Sequence, residues 1–197
     1  MSITVIKKMY PAPPVNEREI LRYAGCLESG DATSALMRDA LCEAEPFLSY
    51  KLCYAELPLS LSGVECDFGS FRIKSSSLSK NLSGCKSVII FAATIGIPFD
   101  RLIARYSRLS PSRAVMLQAI GSERIEALCE VFCRELQVEL KKKLRPRFSP
   151  GYGDVSLDVQ RDIFSLLDVS KNLSVYLNDS MLMSPSKSVT AFVGICE

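Results

Sequence analysis

Leu117, Ile120, Leu128, Phe132, Leu136 and Leu140 recur at steps near four or eight residues. Apolar residues so spaced line one side of an α-helix. The spacing predicts one long helix from about 111 to 143, with Pro111 in its first turn and a length of about 50 Å at about 1.5 Å per residue. Gly121, inside it, can bend the helix or admit a close neighbour. Glu130 and Arg134 form a supportive pair one turn apart on its wet side. An apolar stripe of that length must be buried against another layer.

The segment "KSVIIFAATIG" is the best candidate for that layer's central strand, because it is a continuous run rich in β-branched residues. "SVTAFVGIC", near the C-terminus, reads as a second strand, and "LSVYLNDS" as a third, joined to it through "MLMSPSK". "LPLSLSG" and "FGSFRIK" alternate apolar and polar residues around Gly63 and Gly69, the pattern of short antiparallel strands. "SSSLSKNLSGC" reads as a turn with a short helix. Further helices are expected over "NEREILRYAGC", capped by Asn16 and ended near Gly25, and from the capping residue Asp31 to Pro46. "FDRLIARYSRL" and the segment carrying Val159, Ile163, Leu166 and Leu167 are also read as helices. Strands separated by turns and segregated helices, with no βαβ rhythm, predict an α+β fold. It is a single domain with a central antiparallel sheet, including 86–94 and 188–195, flanked by helices. The expected division is a helical segment over 1–56 and an α+β unit over 57–197, packed as one compact body.

A chain of 197 residues, 48% hydrophobic and 23% charged, has material for a real core. Its formal net charge of +2 implies no strong attraction to nucleic acid or membrane. The cations of "KKKLRPR" read as a solvated helix end. "SVIIFAATIGIPF" is too short to span a bilayer, and "MSITVIKKMYPAPP" lacks the apolar core of a secretory signal. The expectation is a cytoplasmic protein whose eight cysteines are reduced thiols, used mainly as small core residues. Cys129 and Cys133 lie one turn apart, but two ligands make a poor metal site, and none is expected. Histidine is absent, which excludes Ser-His-Asp and Cys-His chemistry and any imidazole beneath a haem or cobalt.

What remains is "RFSPGYGD", residues 147–154. Pro150 fixes its own φ and holds Ser149 extended. Gly151 and Gly153 remove bulk on both sides of Tyr152 and leave backbone groups open to a ligand. Arg147 offers a planar fork for a carboxylate or phosphate, and Tyr152 a flat face and a hydroxyl. A ligand with a carboxylate at one end and an aromatic base at the other matches this layout. An ordinary Pro-Gly turn between two helices matches the composition as well. Neither standard phosphate-loop motif is present.

The loop with its Arg-x-x-Pro-Gly-Tyr pattern, the helix "ERIEALCEVFCRELQ" before it, and "LLD" and "LSVYLNDSMLMSPSKSVTAFVGI" after it together resemble the activation domain of vitamin B12-dependent methionine synthase. The likeness runs over about 115–195 and is weaker from 70 to 110. At the N-terminus, "NEREILRYAG" is similar only to small stand-alone members. After the tyrosine, full-length members usually continue Pro-x-Cys-Pro, where this chain has "GDVSLD".

The resemblance implies a domain that binds S-adenosylmethionine and presents its methyl group to a cobalamin carried by a partner chain. That partner would be a corrinoid-carrying methionine synthase, with an electron donor such as a flavodoxin reducing cob(II)alamin. By motif, Arg147, Ser149, Pro150, Gly151, Tyr152 and Gly153 carry the binding role, with Arg147 on the S-adenosylmethionine and Tyr152 near the corrin. Glu126 and Glu130 are candidates for the family's upstream carboxylates, though a solvated helix carboxylate explains either. No catalytic residue is assigned, and such an accessory component is not expected to turn over alone. Two other readings stay open: a non-catalytic S-adenosylmethionine-binding module, and a reactivator of a different corrinoid methyltransferase.

Overall fold

A computed structural model describes residues 3–26 and 30–196. Its centre is a five-stranded sheet in the order β1 (Ile6–Tyr10), β2 (Tyr50–Pro58), β6 (Cys85–Thr94), β10 (Ser188–Cys196), β7 (Lys143–Leu144), with every pairing antiparallel. Side chains alternate faces along each strand. Ile89, Phe91 and Ala93 of β6, Leu52 and Tyr54 of β2, and Ala191 and Val193 of β10 therefore point into one core. Val88, Ile90 and Ala92, Cys53 and Ala55, and Phe192 point into the other. A strand buried on both faces has no polar parity, which is why "VIIFAA" is apolar throughout.

The first core is covered by α1 (Glu17–Tyr23), α2 (Asp31–Ala44), α4 (Ile97–Leu109) and α5 (Pro111–Leu140). The second is covered by α3 (Ser76–Asn81), α6 (Val159–Leu167), α7 (Val169–Leu173) and a small sheet of β3 (Ser60–Ser62), β4 (Glu65–Asp67) and β5 (Arg72–Lys74). A short ribbon of β8 (Tyr176–Leu177) and β9 (Met183–Ser184) leads into β10. The fold is thus α+β with a central antiparallel sheet and one long helix, as the sequence predicts. Among the described residues no helix is long and apolar enough to cross a membrane.

The differences are local and have physical causes. The long helix stops at Leu140, not 143, because Lys141 turns left-handed at φ 51° and Lys143–Leu144 then pair with the end of β10. The run "KKKLRPR" is therefore partly an edge strand. β1 and most of β2 fall in the stretch expected to be helical. β1 is an edge strand whose Lys7 and Lys8 keep it wet, which hides its apolar signal and guards the edge. Asp31 opens α2 without capping it; Gly30 holds the cap position. Asn16 does cap α1, accepting from Glu19 N at 3.2 Å. The strand expected over "LSVYLNDS" shrinks to Tyr176–Leu177.

Gly121 admits a neighbour rather than a bend: a Cβ there would lie 2.5 Å from Phe99 of α4. Two residues further on, a buried ion pair ties the N-terminal segment to α5. Arg124, 1% exposed, donates to Glu123 Oε2 at 2.5 Å and to the carbonyls of Pro13 and Pro14 at 2.6 and 2.8 Å. Glu123 Oε1 accepts the Asn16 amide at 3.0 Å. All eight cysteines are thiols. Burial pushes Cys53 up to about 12 and Cys66 to about 11, so these two sit in the core as neutral small side chains.

Candidate functional site

The segment leaving β7 runs antiparallel to β10 for several residues. Arg145 donates its amide to Gly194 O at 2.8 Å, and Phe148 and Phe192 exchange a pair of backbone hydrogen bonds at 3.0 and 2.8 Å. The chain then folds back on itself, with Tyr152 N on Ser149 O at 3.2 Å and Gly151 N on Val155 O at 2.9 Å. Gly151 and Gly153 both have positive φ, 88° and 56°. A Cβ on Gly151 would lie 2.9 Å from Leu157, and one on Gly153 would lie 2.6 Å from Ser77 Oγ. The glycines therefore let the loop close on its own protein, a different reason from the open backbone that the sequence suggested.

Asp154 fastens the far end. Its carboxylate accepts the amides of Ser76 and Ser77 at 2.7 and 3.1 Å, together with the Ser75 hydroxyl, at the start of α3. The Ser75 hydroxyl and these amides hold the Asp154 carboxyl well below the usual carboxylate range. A carboxyl whose pKa is depressed by folding stabilises the fold above its ordinary value, near 3.8, and stops doing so as pH falls below it. Asp154→Asn should therefore melt below the wild type at neutral pH, and the gap should shrink in acid. Parallel melting curves down to pH ~2 check this; a constant gap would exclude the charged carboxylate as the fastener.

Between the loop, α5, α6 and β10 lies a cavity of about 650 Å³, of a size that holds a small ligand. Arg147, Ser149, Pro150 and Tyr152 line it with Glu126, Gln160, Met183 and the start of β10. Gly151 and Gly153 are not among its lining residues. Arg147 Nη2 lies 2.6 Å from Glu126 Oε2, and both side chains keep some exposure, 24% and 41%. Burial pushes the nearby Cys129 thiol up to about 12 against the lowering pull of Arg147, so the thiol stays neutral. Tyr152 is 68% exposed and presents its ring outward. Glu130 pairs with Arg134 at 3.2 Å on a neighbouring groove, between α1 and α5, which meets the loop's cavity at Glu126. That groove is larger, about 830 Å³, and Glu19, Glu123, Glu126 and Glu130 along it are each paired with an arginine.

Sequence reasoning brought Arg147 and its loop to this place and named Glu126 as one of two carboxylates. It missed Gln160 and the β10 residues Ser188, Val189 and Thr190. The quoted stretch around "SPSKSV" was the signal for the last three; for Gln160 there was none.

No protein-family model and no curated protein matches the chain in sequence. Among solved structures, the crystal structure of the MetH reactivation domain bound to AdoHcy aligns with it at a TM-score of 0.69, covering 98% of this chain and 78% of that one. In fold, the chain is similar to the MetH reactivation domain. Sequence identity is 16%, so the likeness is one of backbone architecture. With 98% of the chain aligned, the likeness takes in its antiparallel sheet and the helices that flank it.

Proposed function

We propose that the cavity beside the Arg147 loop binds S-adenosylmethionine, and that the chain serves as a reactivation module for a corrinoid methyltransferase of the methionine synthase type. One observation carries the reading: Arg147 and Glu126 stand side by side in the wall of a ligand-sized cavity. The amino-acid end of S-adenosylmethionine has a carboxylate and an ammonium group. Arg147 suits the first and Glu126 the second, so the ligand replaces one ion pair by two. Ser149 and Pro150 shape the wall next to the nucleoside, while Gly151 and Gly153 fix the loop's path. Tyr152, exposed at the loop, faces whatever docks there. The fold likeness to a domain crystallised with AdoHcy supports the same reading.

With no histidine in its 197 residues, the chain lacks the imidazole expected beneath cobalt, so the reading places the corrinoid outside these residues, on a methionine synthase chain. The corrinoid supplies the methyl acceptor once an external donor such as a flavodoxin has reduced it. This chain's part is to bind the methyl donor, orient it with Arg147 and Glu126, and present it past Tyr152. The test uses a methionine synthase lacking its own reactivation domain and holding cob(II)alamin, with reductant and S-adenosylmethionine. Adding the chain should produce the visible spectrum of methylcobalamin. Methylcobalamin forming equally fast without it would overturn the reactivation role and leave a module that only binds its ligand.

A further inference from the structure

Cys85 opens β6 and Cys196 closes β10, and the two are partners across the antiparallel ladder. Ile195 pairs with Ser87 and Cys196 with Cys85, which leaves Lys86 as an extra residue on β6. Such a bulge re-aims the side chain beyond it. By parity alone Cys85 would share the face of Ser87 and Ile195, whereas Cys196 shares the face of Gly194. With the bulge both thiols lie on one face, and their sulfurs are 3.3 Å apart.

The surroundings make room for this pair. Gly194 lies inside β10, where glycine weakens a strand. A Cβ there would lie 2.6 Å from Cys85 Sγ, 2.9 Å from Leu82 and 3.2 Å from Arg145, so glycine leaves the thiol its place. Arg145 lays its stem over the same spot, and its Nη2 donates to Ser83 O at 2.5 Å. Burial raises the Cys85 thiol to about 11 and its contact with Cys196 acts in the same direction, while the Arg145 guanidinium pulls the other way. Cys85 is 8% exposed, and Cys196 stays partly open.

Opposed residues of an antiparallel ladder have Cα atoms about 4.5–5.5 Å apart, inside the range of about 4.4–6.8 Å that a disulfide bridges. The sheet therefore holds the two cysteines at a bonding separation before any bond exists. Cys196 also pairs with Lys143 of β7, and the Arg145 amide donates to Gly194 O. The thiols thus sit at the root of the segment that carries the Arg147 loop.

We infer that Cys85 and Cys196 are a redox switch, joining in a reversible disulfide that clamps β10 to β6 at the root of the Arg147 loop. The oxidant is a small-molecule disulfide. The more open Cys196 loses its proton to solvent and attacks one sulfur of the oxidant, whose other half leaves and takes up a proton as a thiol. Cys85, deprotonated in turn, attacks the Cys196 sulfur and expels the second half as another thiol. Two protein thiols are oxidised, and one small disulfide is reduced to two thiols. Arg145 favours the Cys85 thiolate that the second step needs. The partners are 111 positions apart, so the bond removes much freedom from the unfolded chain and stabilises the folded one.

The experiment equilibrates the full chain with mixtures of reduced and oxidised glutathione, traps the thiols with acid and alkylation, and maps the cysteines by mass spectrometry. The expected map shows a bond between Cys85 and Cys196 that excess reduced glutathione reverses. The oxidised chain should melt about 5–15 °C above the reduced one. Cys42, exposed on α2, should take up a single glutathione and gauges ordinary thiol reactivity. Cys196→Ser, in the same buffers, should show neither the bond nor the shift; if that variant does not fold, the map and melts of the wild type decide alone. Glutathione held on Cys196 without transfer to Cys85 would overturn the switch. So would bonds between other cysteines in place of this one, or a melting temperature that the bond does not move.

Discussion

Arg124→Met is expected to lower the melting temperature by about 6–20 °C, from about 3–5 kcal/mol lost at about 2–4 °C per kcal/mol for a chain of this size. Methionine fills most of the same volume, so the loss comes from polar groups rather than from a hole. Glu123, 4% exposed, would keep a buried carboxyl with only the Asn16 amide beside it. The carbonyls of Pro13 and Pro14 would lose their guanidinium donor. The segment leading into α1 would then come loose from α5, since these contacts hold it there. Adding Glu123→Leu should recover part of the loss, because removing both charges of a buried pair costs less than removing one. Thermal melts followed by circular dichroism decide the matter. A drop below about 3 °C would mean that water already reaches the pair.

Arg147→Ala should weaken S-adenosylmethionine binding by roughly tenfold to more than a hundredfold, since a charge-assisted hydrogen bond is worth about 1.5–3 kcal/mol. The fold should survive. Arg147 is partly exposed, its carboxylate partner Glu126 is open enough to be solvated, and the loop is held by backbone bonds that do not involve the guanidinium. Glu126→Gln should be milder, because the amide still accepts a hydrogen bond from Arg147 and the ligand's ammonium loses only a charge. Calorimetric affinity that stays at the wild-type value in Arg147→Ala would remove this residue from the site.

How much of this was legible beforehand depended on parity and on partners. The long helix and the strands β6 and β10 could be read because their apolar residues repeat at one period over many positions. β1 and β2 could not: Lys7, Lys8, Lys51 and Glu56 interrupt the pattern where the strands meet solvent. Glu123 and Arg124 carry no sequence signal of burial, since charged side chains are rarely fully buried; only the fold reveals that the N-terminal segment crosses over them. Arg147 stood out through its loop. Glu126 stood out weakly, one helix carboxylate among several, until the loop was placed beside it. Gln160 had no sequence signal, because its place in the cavity wall is visible only when its surroundings are known.

The hydrogen-bonded return from Phe148 to Phe192 makes the Arg147 loop an outgrowth of the sheet rather than a tether between helices. A mobile loop of this length would have to be frozen by whatever it grips, at about 1–2 kcal/mol per residue of backbone entropy. Here that ordering happens when the protein folds, through the sheet edge on one side and the Asp154 anchor on the other. A ligand meets a wall already in its final shape, so its arrival changes the protein's disorder little and its residence time reflects the contacts themselves.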